Sequence, residues 1–447
     1  MKSSSLMDNS GSSLERSRNL ILRWLRPGEV SAKSNHWNLY RDIAWYGVLS
    51  GVSQTFTSIF ALRLGATNLT VGLLTSLPAL INVLFQIPAA RLIEQERERR
   101  RILLVSGLLM RLPVFLVALV PLLRAGRAEA VVYITALGTI PAAFANVAFT
   151  AMLAEVVAPR DRARVVSVRN ALLSAVTMVT VLASGRALDI LAFPINYQLI
   201  FTLAFLTSLL SLYYLGRVAM PGAEPQAGGV ASGERKVPRT ASWGLDLRQW
   251  LHTLLARRDY VRFSLGAFVY HWGLYLPLPL YAIYRVRELG ISDGWIGALS
   301  TLESAITIVA YYLWGRIAAR RGARTVLLFG ILGVAVYPLG TALSRSVTSL
   351  LLVVSISGIF APAWTLGLFN GLLEVVPTER RATYVAVFNT LMNVPAFIAP
   401  LLGTTLAGII GTRNALFVGA AVRAIGFLTF AGLLSTPASS KGSKAAS

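Results

Sequence analysis

The sequence predicts an all-α membrane protein, with about twelve transmembrane helices in two six-helix bundles related by a parallel pseudo-two-fold repeat. Three observations lead there. The first is composition: of 447 residues, 55% are hydrophobic and only 14% charged, far too apolar for a soluble chain of this length. The second is spacing: Lys and Arg punctuate apolar runs of about 20 residues, the length at which a helix crosses a bilayer. The third is a self-match. Glu155 to Leu172 reads EVVAPRDRARVVSVRNAL, and 219 residues later Glu374 to Leu391 reads EVVPTERRATYVAVFNTL without a gap. Each copy lies between two long apolar runs, which makes the chain two related halves.

Residues 1–41 are expected to form a cytoplasmic N-terminal segment with no cleavable signal peptide. It is Ser-rich from Met1 to Glu15, then carries a short basic stretch, Arg18 to Arg26, suited to the membrane surface. Spans near 42–62, 69–90, 102–123, 129–153, 164–186 and 195–216 make an N-terminal bundle over 42–216. A polar interval at 217–259 follows and is read as the central cytoplasmic loop. Pro221 to Ser242 is a flexible linker by composition, whereas Leu247, Trp250, Leu251 and Leu254 have the spacing of an interfacial helix. Spans near 260–284, 293–317, 325–343, 348–373, 383–409 and 414–435 make a C-terminal bundle over 260–435, before a tail at 436–447.

Orientation follows from basic residues. With both termini in the cytoplasm, the cytoplasmic segments hold about 31 of the 42 Lys and Arg, and the outer loops about 8. A second self-match, Leu64 to Leu77 against Leu289 to Leu302, pairs Gly65 with Gly290 and Asn68 with Asp293 at the turn from the first to the second helix of each half. A shift of six helices preserves membrane orientation, so the halves are parallel repeats.

Several chemistries are excluded. The chain has no Cys, hence neither disulfides nor thiolate metal sites. It contains no G-x-x-x-x-G-K-[ST], H-E-x-x-H or G-x-S-x-G, so an enzyme, a cofactor and a metal are not expected. The formal charge of +22 borders membrane spans rather than forming a nucleic-acid surface.

With helix count, loop charge and repeats in hand, the chain resembles the major facilitator superfamily across its membrane portion. That family carries a Gly-x3-Asp-Arg-x-Gly-Arg-Arg-type signature between helices 2–3 and 8–9. The second loop here matches at Gly315, Arg320, Gly322 and Arg324, with Ala319 in place of the family's Asp; the first, Ala89 to Arg101, keeps only a mixed-charge run. The resemblance implies a secondary transporter that moves a small organic solute by alternating access, with protons as the candidate coupling ion and lipid as its surroundings. It implies a multi-pass protein of the inner (plasma) membrane, read here as a monomer. The alternatives are a drug or metabolite exporter of the same fold and a non-transporting sensor or scaffold. The Gly-Pro-x-x-Gly-Gly signature of drug/proton antiporters is missing from the fifth span, and only a faint likeness begins at Ala399.

Ionisable groups deep in a span are costly, so each is a candidate for function. Glu303 lies mid-span beside Ser300, Ser304 and Thr307, placed either to take up and release a proton or, permanently protonated, to hydrogen-bond a neighbouring helix. His271 lies in the seventh span, suited to proton exchange or, as a neutral imidazole, to a bond with a carbonyl; Tyr270, Trp272 and Tyr275 near it could stack on an organic substrate or simply pack. Pro277 and Pro279 should break that span. Tyr281, Tyr284 and Trp295 read as an aromatic belt. In the first half Ser53, Gln54, Asn82, Gln86 and Asn146 are deep and uncharged; Gln54 and Asn146 are candidates for substrate hydrogen bonds, because the resemblance puts their helices on the cavity, or for hydrogen bonds that join helices. Arg111 and Arg423 read as paired structural charges, and Arg169 with Asn170 as part of an inner gate. Glu155, Arg162 and Asn170, with Glu374, Arg381 and Asn389, then become symmetry-related groups at the inner mouth, either closing it in one state or serving as helix caps and topogenic charge.

Overall fold

A chain in lipid must pair its backbone N–H and C=O groups within its own segments. In the computed structural model, which describes residues 32–95, 99–219, 257–377 and 381–435, helix follows helix and no strand occurs among the described residues. The helices are α1 Ala32–Arg63, α2 Asn68–Gln95, α3 Arg99–Leu109, α4 Leu112–Leu119, α5 Arg127–Val156, α6 Pro159–Ile190 and α7 Ile195–Gly216. In the second half they are α8 Arg258–Tyr275, α9 Leu278–Ile283, α10 Asp293–Leu343, α11 Val347–Val375, α12 Arg381–Ile410 and α13 Thr412–Ser435. The basic stretch near residue 20, the central linker with its interfacial helix, and the tail lie outside the described residues.

Breaks within spans have local causes. Expected span 3 is α3 plus α4, parted at Met110–Arg111 just before Pro113, which cannot donate to the ladder. Expected span 7 is α8 plus α9, broken at Leu276–Pro277 as its prolines predict, and it ends in a π-helical turn, Tyr284–Glu288. Expected spans 8 and 9 run on as α10, interrupted only at Gly322, whose φ of 79° suits a residue without Cβ. By length and composition, nine segments could cross a membrane among the described residues, the 51-residue Asp293–Leu343 being long enough to do so twice. α1 and α8 are not among them: Gln54 and its polar neighbours lower α1, and α8, cut short by its proline break, carries Arg258, Asp259, Arg262 and His271.

Both self-matches fall on equivalent structure. Gly65 (φ 93°) and Gly290 (φ 59°) take the left-handed conformation just before α2 and α10. Glu155 and Glu374 sit on the last turns of α5 and α11, and Arg162 and Arg381 in the first turns of the helices that follow. The duplication is therefore one of three-dimensional units.

The halves meet at the end of the bundle away from Ala32 and Ser435, where α6 packs on α10 and α2 on α12. There the repeat produces reciprocal contacts. Arg63 at the end of α1 donates to Asp293 (3.1 Å) and to the Ile291 carbonyl (3.0 Å) across the interface. Arg287, after α9, reaches back to Asn68 (2.6 Å) and to the Ala66 carbonyl. Tyr197 of α7 adds a hydrogen bond to the other Asp293 oxygen at 2.8 Å. Asp189 of α6 accepts from Ser292 Oγ (2.9 Å) and from the Gly294 N–H (3.0 Å), so one half caps a helix of the other. Backbones touch beneath this seal: a Cβ on Gly185 would stand 2.9 Å from the Asp293 carbonyl and 3.3 Å from the Gly297 Cα. Gly185→Leu is accordingly expected to part α6 from α10 while leaving each half intact, which paired spin labels across the far end would register as a longer distance; an unchanged distance would refute the tight crossing.

Candidate functional site

The N-terminal half contains a cavity of about 500 Å³ built around a buried charge cluster. α1 starts ten residues before the expected boundary, which carries Asp42 into its third turn and buries it. Asp42 was not legible as an intramembrane group because position 42 is where the apolar run begins. Its Oδ2 is paired with Arg169 Nη1 of α6 at 3.1 Å, and its Oδ1 accepts from Ser211 Oγ of α7 at 2.7 Å. Arg111, in the break between α3 and α4, donates to Ser211 Oγ (2.8 Å), the Ser208 carbonyl (3.0 Å) and the Gly107 carbonyl (2.5 Å). Paired with Arg169 and linked to Arg111 through Ser211, one carboxylate thus ties four spans and two guanidinium groups together. In a low-dielectric interior such groups persist only where paired and hydrogen-bonded.

Asn82, Asn146 and Asn170 line the same cavity, so the structure brings one expected substrate residue, Asn146, together with Arg169 and Asn170, expected at a gate. Gln54 is elsewhere: it is exposed, and its amide donates to Ser50 of its own helix at 2.8 Å. Ser53 lines a smaller cavity of about 190 Å³ beside Thr57, Thr135 and Thr139.

In the C-terminal half Glu303 on α10 accepts from Ser357 Oγ on α11 at 2.8 Å. Ser304 bonds back to the Ser300 carbonyl, and Thr307 to the Gly358 carbonyl on α11. Tyr281 and Tyr337 meet edge to face, with ring centroids 4.6 Å apart. Arg285 donates to Tyr337 Oη at 2.6 Å, and its Nε is buried with no partner of its own. Tyr281 and Tyr284 therefore do not form an outer belt: both are buried, Tyr284 bonding to the Ser344 carbonyl at 2.8 Å, because the break at Pro277 turns α9 inward. Trp295 is exposed.

His271 is buried, with Nδ1 2.6 Å from the Ala267 carbonyl one turn back and its ring against Trp364 and Tyr275. Tyr270 is fully buried, its hydroxyl bonded to the Ile331 carbonyl at 3.1 Å, which makes it a packing residue rather than a stacking surface for a solute. Trp272 and Tyr275 are partly buried; Trp272 packs on Phe268. Arg423 is not half of a charge pair: it donates to the carbonyls of Gly273, Leu274 and Val334, and weakly to Tyr281. It and Arg111 are matching devices, each using a buried guanidinium to tie its own helix to carbonyls of neighbouring spans.

At the end near the termini Arg162 turns back on its own chain, donating to the Val157 carbonyl (3.1 Å) and to that of Ala154, as a cap on α5. Glu155, Asn170, Glu374 and Asn389 are exposed there, as are Gly315, Arg320, Gly322 and Arg324 of the loop signature. Among the described residues no cluster of metal-ligating side chains occurs.

The model of the Major Facilitator Superfamily matches residues 43–259 and 263–447. Multidrug resistance protein MdtG of Proteus mirabilis is 29% identical over 172 residues, covering 36% of this chain and 41% of that protein. Its Dickeya zeae counterpart is 30% identical over 173 residues, 37% and 41% of the two chains. The chain thus matches 41% of the length of these curated relatives. Among solved structures, a bacterial homolog to the human lysosomal transporter Spinster, inward-facing and unoccupied, aligns with TM-score 0.66 at 14% identity over 90% of this chain and 97% of that one. The nucleoside transporter NupG aligns with TM-score 0.63 at 11% identity, over 90% and 100%. Those identities carry the fold alone. The family match spans both halves, and the helices, repeats and far-end packing agree with it: this chain is a multi-pass membrane protein that belongs to the Major Facilitator Superfamily.

Proposed function

We propose that the chain is a gradient-driven secondary transporter of a small organic solute, working by alternating access of two rigid halves, 42–216 and 260–435. Both termini face the cytoplasm of a cell whose inner membrane it spans, a reading that the asymmetry of Lys and Arg supports. The observation that carries this reading is the one-sided interface. Hydrogen bonds and an ion pair hold the halves together at the far end, while Asn170, Glu374 and Asn389 stand exposed at the end near the termini. In that orientation the state is closed to the outside and open to the cytoplasm. Glu303 supplies the protonatable group of the cycle, and the resting hydrogen bond from Ser357 steadies its carboxyl.

Export is the second reading, favoured by the similarity to MdtG, whose name records multidrug resistance. Proteoliposomes with purified protein and an imposed pH gradient test both. Accumulation of a bound solute that collapses with a proton ionophore is expected, and the gradient polarity that drives it separates uptake from efflux. A protein that binds solutes yet moves none is a sensor, and the reading is then wrong.

A further inference from the structure

We propose that the cavity of the N-terminal half recognises the anionic group of an organic solute, and that Arg169 is the residue that reads it. The proposal rests on the transporter reading and deepens it by naming a substrate class. The ionisable side chains of unlike charge that line the cavity are Asp42, Arg111 and Arg169, two guanidinium groups against one carboxylate. All three are less than a tenth exposed, at 4%, 3% and 7% respectively. A buried excess of one positive charge is costly, and a monoanion in the cavity relieves it while a cation adds to it.

The two arginines are not equivalent. Arg111 is spent, its Nε, Nη1 and Nη2 each donating within the protein. Arg169 uses only Nη1, which donates to the Leu39 carbonyl at 2.7 Å and to Asp42 at 3.1 Å. Its Nε and Nη2 have no acceptor among the described residues, and one face of the guanidinium lies on the Phe149 ring at 4.5 Å. An Nε–Nη2 edge held flat by a ring and anchored at its third nitrogen is preorganised for the two oxygens of a carboxylate or phosphate group. The amides of Asn82, Asn146 and Asn170 line the cavity without protein partners among the described residues, supplying further donors. Ile43, Phe149 and Leu153 offer the apolar wall for the body of the solute. About 500 Å³ suits a ligand of small-molecule size.

The test is thermal stabilisation of the purified full chain by three probes that share a naphthalene body: 1-naphthylacetate, its neutral amide, and 1-naphthylmethylammonium. The anion is expected to bind saturably, at least about tenfold tighter than the amide, with no stabilisation by the cation. Arg169→Gln should abolish the effect, although loss of the ion pair could also unfold the protein. Asp42→Asn therefore provides the second arm: it removes the competing carboxylate and leaves both guanidinium groups, so the anion must bind more tightly. Weaker binding in Asp42→Asn, equal binding of the cation, or no binding of any probe overturns the proposal. Failure here is distinguishable from failure of the transporter reading. A neutral or cationic solute carried by proteoliposomes, with naphthylacetate unbound, removes the anion assignment alone. Charge-dependent binding with no flux of any solute removes transport alone.

Discussion

Replacing Glu303 by Gln is expected to reduce pH-driven accumulation in proteoliposomes to the level set by simple equilibration, while exchange of solute down its own gradient continues. For one proton per solute, a gradient of one pH unit sustains about tenfold accumulation, so the expected loss is about tenfold. The substitution is informative because it spares the local structure. Ser357 donates to a Glu303 oxygen, and the amide oxygen of Gln can accept the same bond with nearly the same volume. A carboxyl group that served only as a hydrogen-bond acceptor would therefore be replaced without consequence. Only the capacity to gain and lose a proton is removed. Accumulation equal to wild type in Glu303→Gln would show that the group is structural and that coupling, if present, runs through another residue, Asp42 being the next carboxyl in a span.

The arrangement of Glu303 and Asp42 also shows what could be read from the sequence. Helix number, the duplication and the turns that carry it were legible because they rest on local physics: apolar runs of span length, and glycine where the backbone must go left-handed, at Gly65 and Gly290. Glu303 was visible because a carboxylate in the middle of an apolar run is costly and needs a partner, whether a proton or a neighbouring helix. Asp42 was not, since a helix whose first three turns are polar gives no hydropathy signal for its start, and the burial of those turns comes from packing against α6 and α7. The tyrosines of α9 were misplaced for a related reason. Aromatic residues near the end of a span suggest a membrane interface. Here a proline break redirects the chain and turns them into the core, where Tyr281 meets Tyr337 and Arg423. Likewise most partners of Arg111 and Arg423 are carbonyl groups, which every residue has, so a pattern of side chains could not announce them.

Asp293→Ala should shift the protein from its far-end-closed state toward the opposite one, with the largest conformational effect of any single substitution at the interface. Asp293 accepts from Arg63 of the other half at 3.1 Å and from the buried hydroxyl of Tyr197 at 2.8 Å. Truncation removes the carboxylate partner of Arg63 and the acceptor of the tyrosine hydroxyl. Removing one partner from a hydrogen-bonded, partly desolvated charge pair costs about 2–5 kcal/mol; with Arg63 about a third exposed, the low end applies, a shift of about thirtyfold in the balance between the two states. The contact exists only while the far end is closed, so its loss penalises that state and not the other. The native chain has no Cys, and labels can therefore be placed singly without a background-removal step. Spin labels at Leu69 and Glu288, exposed residues from opposite halves beside the seal, should report a longer distance in Asp293→Ala. A pair at Arg320 and Glu155, exposed at the other end, should report a shorter one. The two changes must occur together, because rigid halves that part at one end close at the other. Lengthening at the far end without closure at the other would mean that the seal frays locally. In that case Arg63 and Asp293 stabilise a loop contact, and the balance between the two states is set by the glycine crossing of α6 and α10 instead.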